Sequence, residues 1–144
     1  MSTRLFVTFE SDLPNDEQWD DRERLEVPVG RSVLSLVRSL LTANGARCAE
    51  VIQHSFYGWR FVLDYQGQLI ALIIQFADPW LIIVEPIRSF WLWVLGSSRR
   101  SKVTKFLGMF HELLKSNGHF ANVRWHSKKD FKSGARLLGS ESPY

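Results

Sequence analysis

Between Trp59 and Glu85 the chain carries three apolar runs separated by turn residues, and this stretch restricts the fold more than any other. In WRFVLDY, Trp59, Phe61, Leu63 and Tyr65 alternate with Arg60, Val62 and Asp64. That period of two gives a strand with one apolar face. Gln66-Gly67 follows as a hairpin turn. Leu69 to Ala77 is uncharged and apolar on both faces, a pattern that suits a strand in the middle of a sheet. Asp78-Pro79 turns the chain again, and Trp80 to Glu85 makes the third strand. Three successive strands with short turns form an antiparallel meander. The same apolarity does not make a membrane span, because Asp78, Glu85 and Arg88 interrupt it. A span needs about 20 predominantly apolar residues, and a central charge costs about 2.5–3.5 kcal/mol on insertion scales.

Two amphipathic helices flank the meander. In SVLSLVRSLLTANG, residues Val33, Leu34, Leu36, Val37, Leu40 and Leu41 form one apolar stripe. Ser32 is the candidate N-cap, and Asn44-Gly45 supplies a left-handed stop. In SKVTKFLGMFHELLKSNG the stripe is Val103, Phe106, Leu107, Phe110, Leu113 and Leu114, and Asn117-Gly118 is expected to end the helix in the same way. RLFVTFE near the start and FANVRWH after the second helix alternate as strands. The order β-α-β-β-β-α-β predicts an α+β fold, a two-layer sandwich of a mainly antiparallel sheet with both main helices on one face. The 144 residues make a single domain, 1–144, long enough to bury roughly 70% of the surface of the unfolded chain. Within it, residues 11–30 read as an acidic loop with a short helical turn near Asp16 to Arg22. Residues 131–144 read as a basic, partly mobile tail.

Charge is divided along the chain. Residues 1–30 carry eight acidic and three basic side chains, a balance of −5. Residues 81–144 carry eleven basic and four acidic side chains, a balance of +7. Two readings follow: the ends attract each other or keep the protein soluble, or one of them steers a charged partner. A lone cysteine, Cys48, forbids an internal disulfide, and the first residues lack the apolar core of a signal peptide. Both features fit a cytoplasmic protein.

Catalytic motifs are missing. HELLK, from His111 to Lys115, starts like the zinc-protease helix but has Lys115 where the second histidine belongs. His111 reads instead as a half-buried structural residue. Neither GxGxxG nor GxxxxGK[ST] occurs, and GSSRRSKV before the second helix lacks the acetyl-CoA loop pattern. Cys48 and His54 form no recognisable nucleophile–base pair. We therefore expect no enzyme, no cofactor and no metal. Nucleic-acid binding has some support, because Trp125, His126, Lys128, Lys129, Phe131, Lys132 and Arg136 interleave rings and cations as single-strand binders do.

Tyr57-Gly58-Trp59 opening a strand, hairpins of apolar strands, and a strand closing in Val84-Glu85-Pro86 form a pattern over residues 50–116. With the small size and the acidic leader, it resembles immunity proteins of bacterial polymorphic toxin systems, such as contact-dependent growth inhibition and type VI secretion. The resemblance implies a non-catalytic protein that binds and neutralises the C-terminal domain of a cognate toxin in the producing cell. The alternative is a nucleic-acid-binding accessory module using the basic C-terminal third. Candidate partner-binding residues are Asp12, Asp16, Glu17, Asp20, Asp21 and Glu23, which would steer or contact a basic partner. Trp91 and Trp93 of FWLWVLG join them. That segment is apolar at six successive positions, and an exposed ring there would be an anchor for the toxin or for a second copy of the chain.

Overall fold

The computed structural model describes residues 4–14, 18–54, 58–75, 79–87, 98–132 and 139–144. Its elements in chain order are β1 (Phe6–Ser11), β2 (Gln18–Trp19), β3 (Leu25–Val27), α1 (Arg31–Ala43), β4 (Arg47–Cys48), β5 (Ile52–His54) and β6 (Gly58–Tyr65). There follow β7 (Gln68–Gln75), β8 (Trp80–Pro86), α2 (Ser98–Ser116), β9 (Phe120–His126) and the short α3 (Lys128–Lys132).

The meander β6-β7-β8 forms as its alternation predicts. Gln66 (φ 53°) and Gly67 (φ 87°) both adopt the left-handed conformation of a tight hairpin turn. β1 then inserts between β8 and β9, so the sheet runs β4-β6-β7-β8-β1-β9, with β5 also on β6. Every pairing in it is antiparallel. The fold is the α+β sandwich that the pattern implied.

One sheet face carries the main core. Val7 and Phe9 of β1, Phe61 and Leu63 of β6, Ile70, Leu72 and Ile74 of β7, and Ile82 and Val84 of β8 all lie there, buried. They meet Val33, Leu34, Val37 and Leu41 from α1, and Val103, Phe106, Leu107, Phe110 and Leu114 from α2. Each such side chain gains about 1.5–3 kcal/mol from leaving water, so this cluster dominates the stabilisation. The opposite face is not simply solvated. Ala71, Ile73 and Leu81 are buried on it. At its β1–β9 side Thr8 Oγ1 and His126 Nε2 share a hydrogen bond of 2.8 Å, and Phe131 of α3 packs on Phe6 with ring centroids 5.2 Å apart.

Three local expectations need correction. The N-cap of α1 is Gly30 at φ 114°, not Ser32. A Cβ at this position would stand 2.8 Å from Ile74 Cγ2 and 3.3 Å from the Trp80 ring, so close packing on the sheet selects glycine. The two helix ends also differ. α1 closes with Gly45 left-handed at φ 93°, and the amide of Ala46 donates to Leu41 O while that of Gly45 donates to Thr42 O. These are the two bonds of a Schellman ending. Gly118 does not adopt a positive φ. After α2 the side chain of Asn117 accepts from the His119 amide at 2.9 Å, and an Asx turn replaces the glycine stop. The third correction concerns residues 11–30, which hold a two-stranded ribbon, β2–β3, where a loop with a helical turn was expected.

Candidate functional site

The ribbon emerges where β1 ends and β6 and β8 begin. Its base is fixed to the sheet. Trp59 Nε1 donates to Pro28 O at 2.8 Å, Val29 and Gly30 are buried, and the Arg31 guanidinium lies 5.2 Å above the Trp59 ring. Beyond this base, the main partner of β2 is β3, in the register Gln18↔Val27 and Trp19↔Leu25.

Asp20 builds the tip. Its Oδ1 accepts from the amides of Arg22 (2.9 Å) and Arg24 (2.8 Å), and its own amide donates to Arg24 O at 2.8 Å. Glu23 sits at φ 59°, a left-handed conformation that lets five residues reverse the chain. The short Asp20 side chain thus offers the Arg22 and Arg24 amides an alternative to helical bonding, and the chain turns here instead.

This geometry sorts the candidate residues. Asp20 spends its carboxylate on the turn. Asp21 and Glu23 are exposed and free of that duty. Arg22 and Arg24 stand exposed on either side of Glu23, so the tip carries three acids and two arginines and is a mixed-charge surface rather than an acidic block. Asp12 lies apart from the tip, where its Oδ1 accepts from His119 Nδ1 at 2.7 Å. That pair ties the end of β1 to the turn before β9. Asp16 and Glu17 lie outside the described residues, as do Trp91 and Trp93 with the rest of FWLWVLG.

Trp19, which sequence reasoning passed over, is a large apolar side chain left 56% exposed. A signal was present. In DEQWDDRER the ring has only polar neighbours and belongs to no apolar stripe of either period, so nothing in its own element can bury it. An exposed tryptophan beside charged groups is the usual composition of a binding anchor.

The ring-and-cation pattern near the C-terminus has a different fate. Trp125 and His126 are buried, and Phe131 is half-buried against Phe6 and the His126 ring. Those rings hold the structure together and offer no stacking platform, while Lys128 and Lys129 remain exposed. Cys48 and His54 pair with Leu63 and Gly58 respectively. Five residues of β6 thus separate them, roughly 17 Å of strand, which keeps them apart. His111 is half-buried, and its Nδ1 accepts from Trp125 Nε1 at 3.0 Å, the structural role expected of it.

Among the described residues no helix is long and apolar enough to cross a membrane. Comparison with protein-family models, with curated proteins and with solved structures finds no match to this chain.

Proposed function

We propose that the chain is a non-catalytic immunity protein that binds and neutralises the C-terminal domain of a bacterial toxin in the cytoplasm of the producing cell. The observation that carries the reading is the β2–β3 ribbon, with Trp19 56% exposed beside Asp21 and Glu23. A rigid base on Pro28 and Trp59 limits the ordering cost of docking. The ring supplies an anchor, and the charged tip supplies orientation and steering. The mixed charge of the tip favours a partner surface with both signs over a uniformly basic cleft.

The test is to read the neighbouring frames for a large secreted protein with a variable C-terminal domain, and to co-express the chain with any such domain found immediately upstream. The wild-type chain restores growth and forms a complex with that domain. Trp19→Ala weakens the complex by about 2 kcal/mol, roughly thirtyfold in Kd. Being surface-exposed, the substitution leaves stability within about 0.5 kcal/mol of wild type. Absence of a toxic partner domain, or unchanged affinity in Trp19→Ala, overturns the reading. Salt-dependent binding to mixed oligonucleotides in its place would establish the nucleic-acid module.

A further inference from the structure

The outer edge of β9, the C-terminal half of α2 and the last residues of the chain enclose an open cavity of about 350 Å³. This volume is at the small end of the range for ligand sites, about 300–1,000 Å³. The final segment builds one wall by wrapping around the β9 edge. Gly139 lies so close over His126 that an added Cβ would stand 2.5 Å from its Cε1. Ser140 then exchanges two 2.7 Å backbone hydrogen bonds with Trp125, and the Tyr144 hydroxyl donates to Thr104 O on α2 at 2.9 Å.

Five side chains give the cavity its chemistry: His111 and Lys115 from α2, Asn122 and Arg124 from β9, and Glu141 from the wrapping segment. His111 and Lys115 are four residues apart and so share a helix face. Because His111 Nδ1 accepts the indole proton of the buried Trp125 at 3.0 Å, the neutral ring carries its own proton on Nε2. The core thus sets the tautomer, and Nε2–H is the donor that His111 has for a ligand. Asn122 has φ 53° at the point where the β1–β9 register slips. Such a bulge bends a strand edge and re-aims its side chains.

Arg124 Nη1 donates to Glu141 Oε1 at 2.8 Å, but the Glu141 side chain is 84% exposed and that of Arg124 only 35%. Solvent-screened pairs of this kind open readily. The hydrogen bond and charge of Arg124 hold the Glu141 carboxyl below the usual carboxylate range, and Lys115 adds to the effect. Lys115 and Arg124 therefore both act on this one carboxylate. Glu141 occupies the place of a carboxylate ligand, and once it swings out two cations remain for a dianion.

We propose that the cavity is a binding site for a small dicarboxylate, which displaces Glu141 and is held by Arg124, Lys115 and the Nε2–H of His111. The inference does not depend on the ribbon or on an immunity role. It is tested by titrating the full chain with succinate at constant ionic strength, following the backbone amides of β9 and the Trp125 indole N–H by NMR. Saturable shifts at His111, Arg124 and the Trp125 indole are expected. Arg124→Gln weakens the apparent Kd at least tenfold, and Lys115→Gln weakens it severalfold. Glu141→Gln, which removes the internal competitor, tightens it severalfold. A chloride titration giving the same shifts, no saturation by succinate, or weaker binding in Glu141→Gln overturns the proposal. Tighter binding of inorganic phosphate than of succinate overturns the assignment to carboxylates. An Arg124→Gln spectrum that loses its dispersion shifts the decision to Glu141→Gln, which lies on the exposed side of the pair.

Discussion

Trp125→Phe tests whether the indole–imidazole contact holds α2 to β9. Trp125 is fully buried, meets Phe110 edge-on with ring centroids 6.1 Å apart, and donates to His111 Nδ1 at 3.0 Å. Phenylalanine keeps a six-membered ring in the core but loses the pyrrole portion and its N–H. The lost apolar burial is roughly 40 Å², about 1 kcal/mol at about 25 cal/mol per Å². An orphaned buried acceptor costs about 1–3 kcal/mol, and the half-buried position of His111 places it at the low end. The sum is about 2–3 kcal/mol. In a His111→Leu background the buried indole N–H is itself orphaned, so removing it offsets the packing loss and the same change costs about 1 kcal/mol or less, a coupling of at least about 1 kcal/mol. Urea unfolding at neutral pH, read from the midpoint at constant slope, measures both values. Equal costs in the two backgrounds would refute the hydrogen-bond argument and leave Trp125 as packing alone.

Two leucines on β7 give a paired check on the sheet faces: Leu72 is fully buried and Leu69 is 38% exposed at the sheet margin. Leu72→Ala costs about 3–5 kcal/mol in chemical unfolding, whereas Leu69→Ala costs about 1 kcal/mol or less. Gly139→Ala forces a Cβ to within 2.5 Å of His126 Cε1, so calorimetry finds a loss of about 1–3 kcal/mol; a neutral result would show that the wrapping segment is not docked. The Glu141 carboxyl titrates below the usual carboxylate range because Arg124 donates to it and attracts its charge. Any stabilisation from this pair is therefore present above that range and fades as pH falls through the depressed pKa. Arg124→Gln raises the Glu141 titration midpoint toward the usual range in carbon-detected NMR, and an unmoved midpoint would contradict the assigned cause.

The meander and the two helices were legible because their signals are local. Trp59, Phe61 and Leu63 repeat every second residue, and Phe106, Phe110 and Leu114 repeat at helical spacing, so each element specifies its buried face before any partner is known. Asn44-Gly45 marked a true helix end for the same reason, since a left-handed glycine closes a helix on its own. Asn117-Gly118 looked identical and behaved otherwise, because the amide of His119 turns back onto the Asn117 side chain.

Other features depended on what met in space. β1 lies between β8 and β9, a pairing with no local signature, and it buries Trp125 and His126 beside it. The cations and rings of the C-terminal third thereby parted company, with Lys128 and Lys129 in water and the rings inside. Gly30 caps α1 at a φ of 114°, and Ile74 and Trp80, more than forty residues away, also fill the space a side chain would need. Asp20 folds back on its own turn, which takes one of the acidic candidates out of service and leaves Trp19 standing clear. The sequence by itself determined the meander, the two main helices and the strands before and after them, with the face each buries, since periodicity acts within a few residues; the short β2–β3 ribbon has no such period. Only the tertiary structure decided strand order, which polar groups are consumed internally, and which rings remain for a partner, since those follow from contacts between residues far apart in the chain.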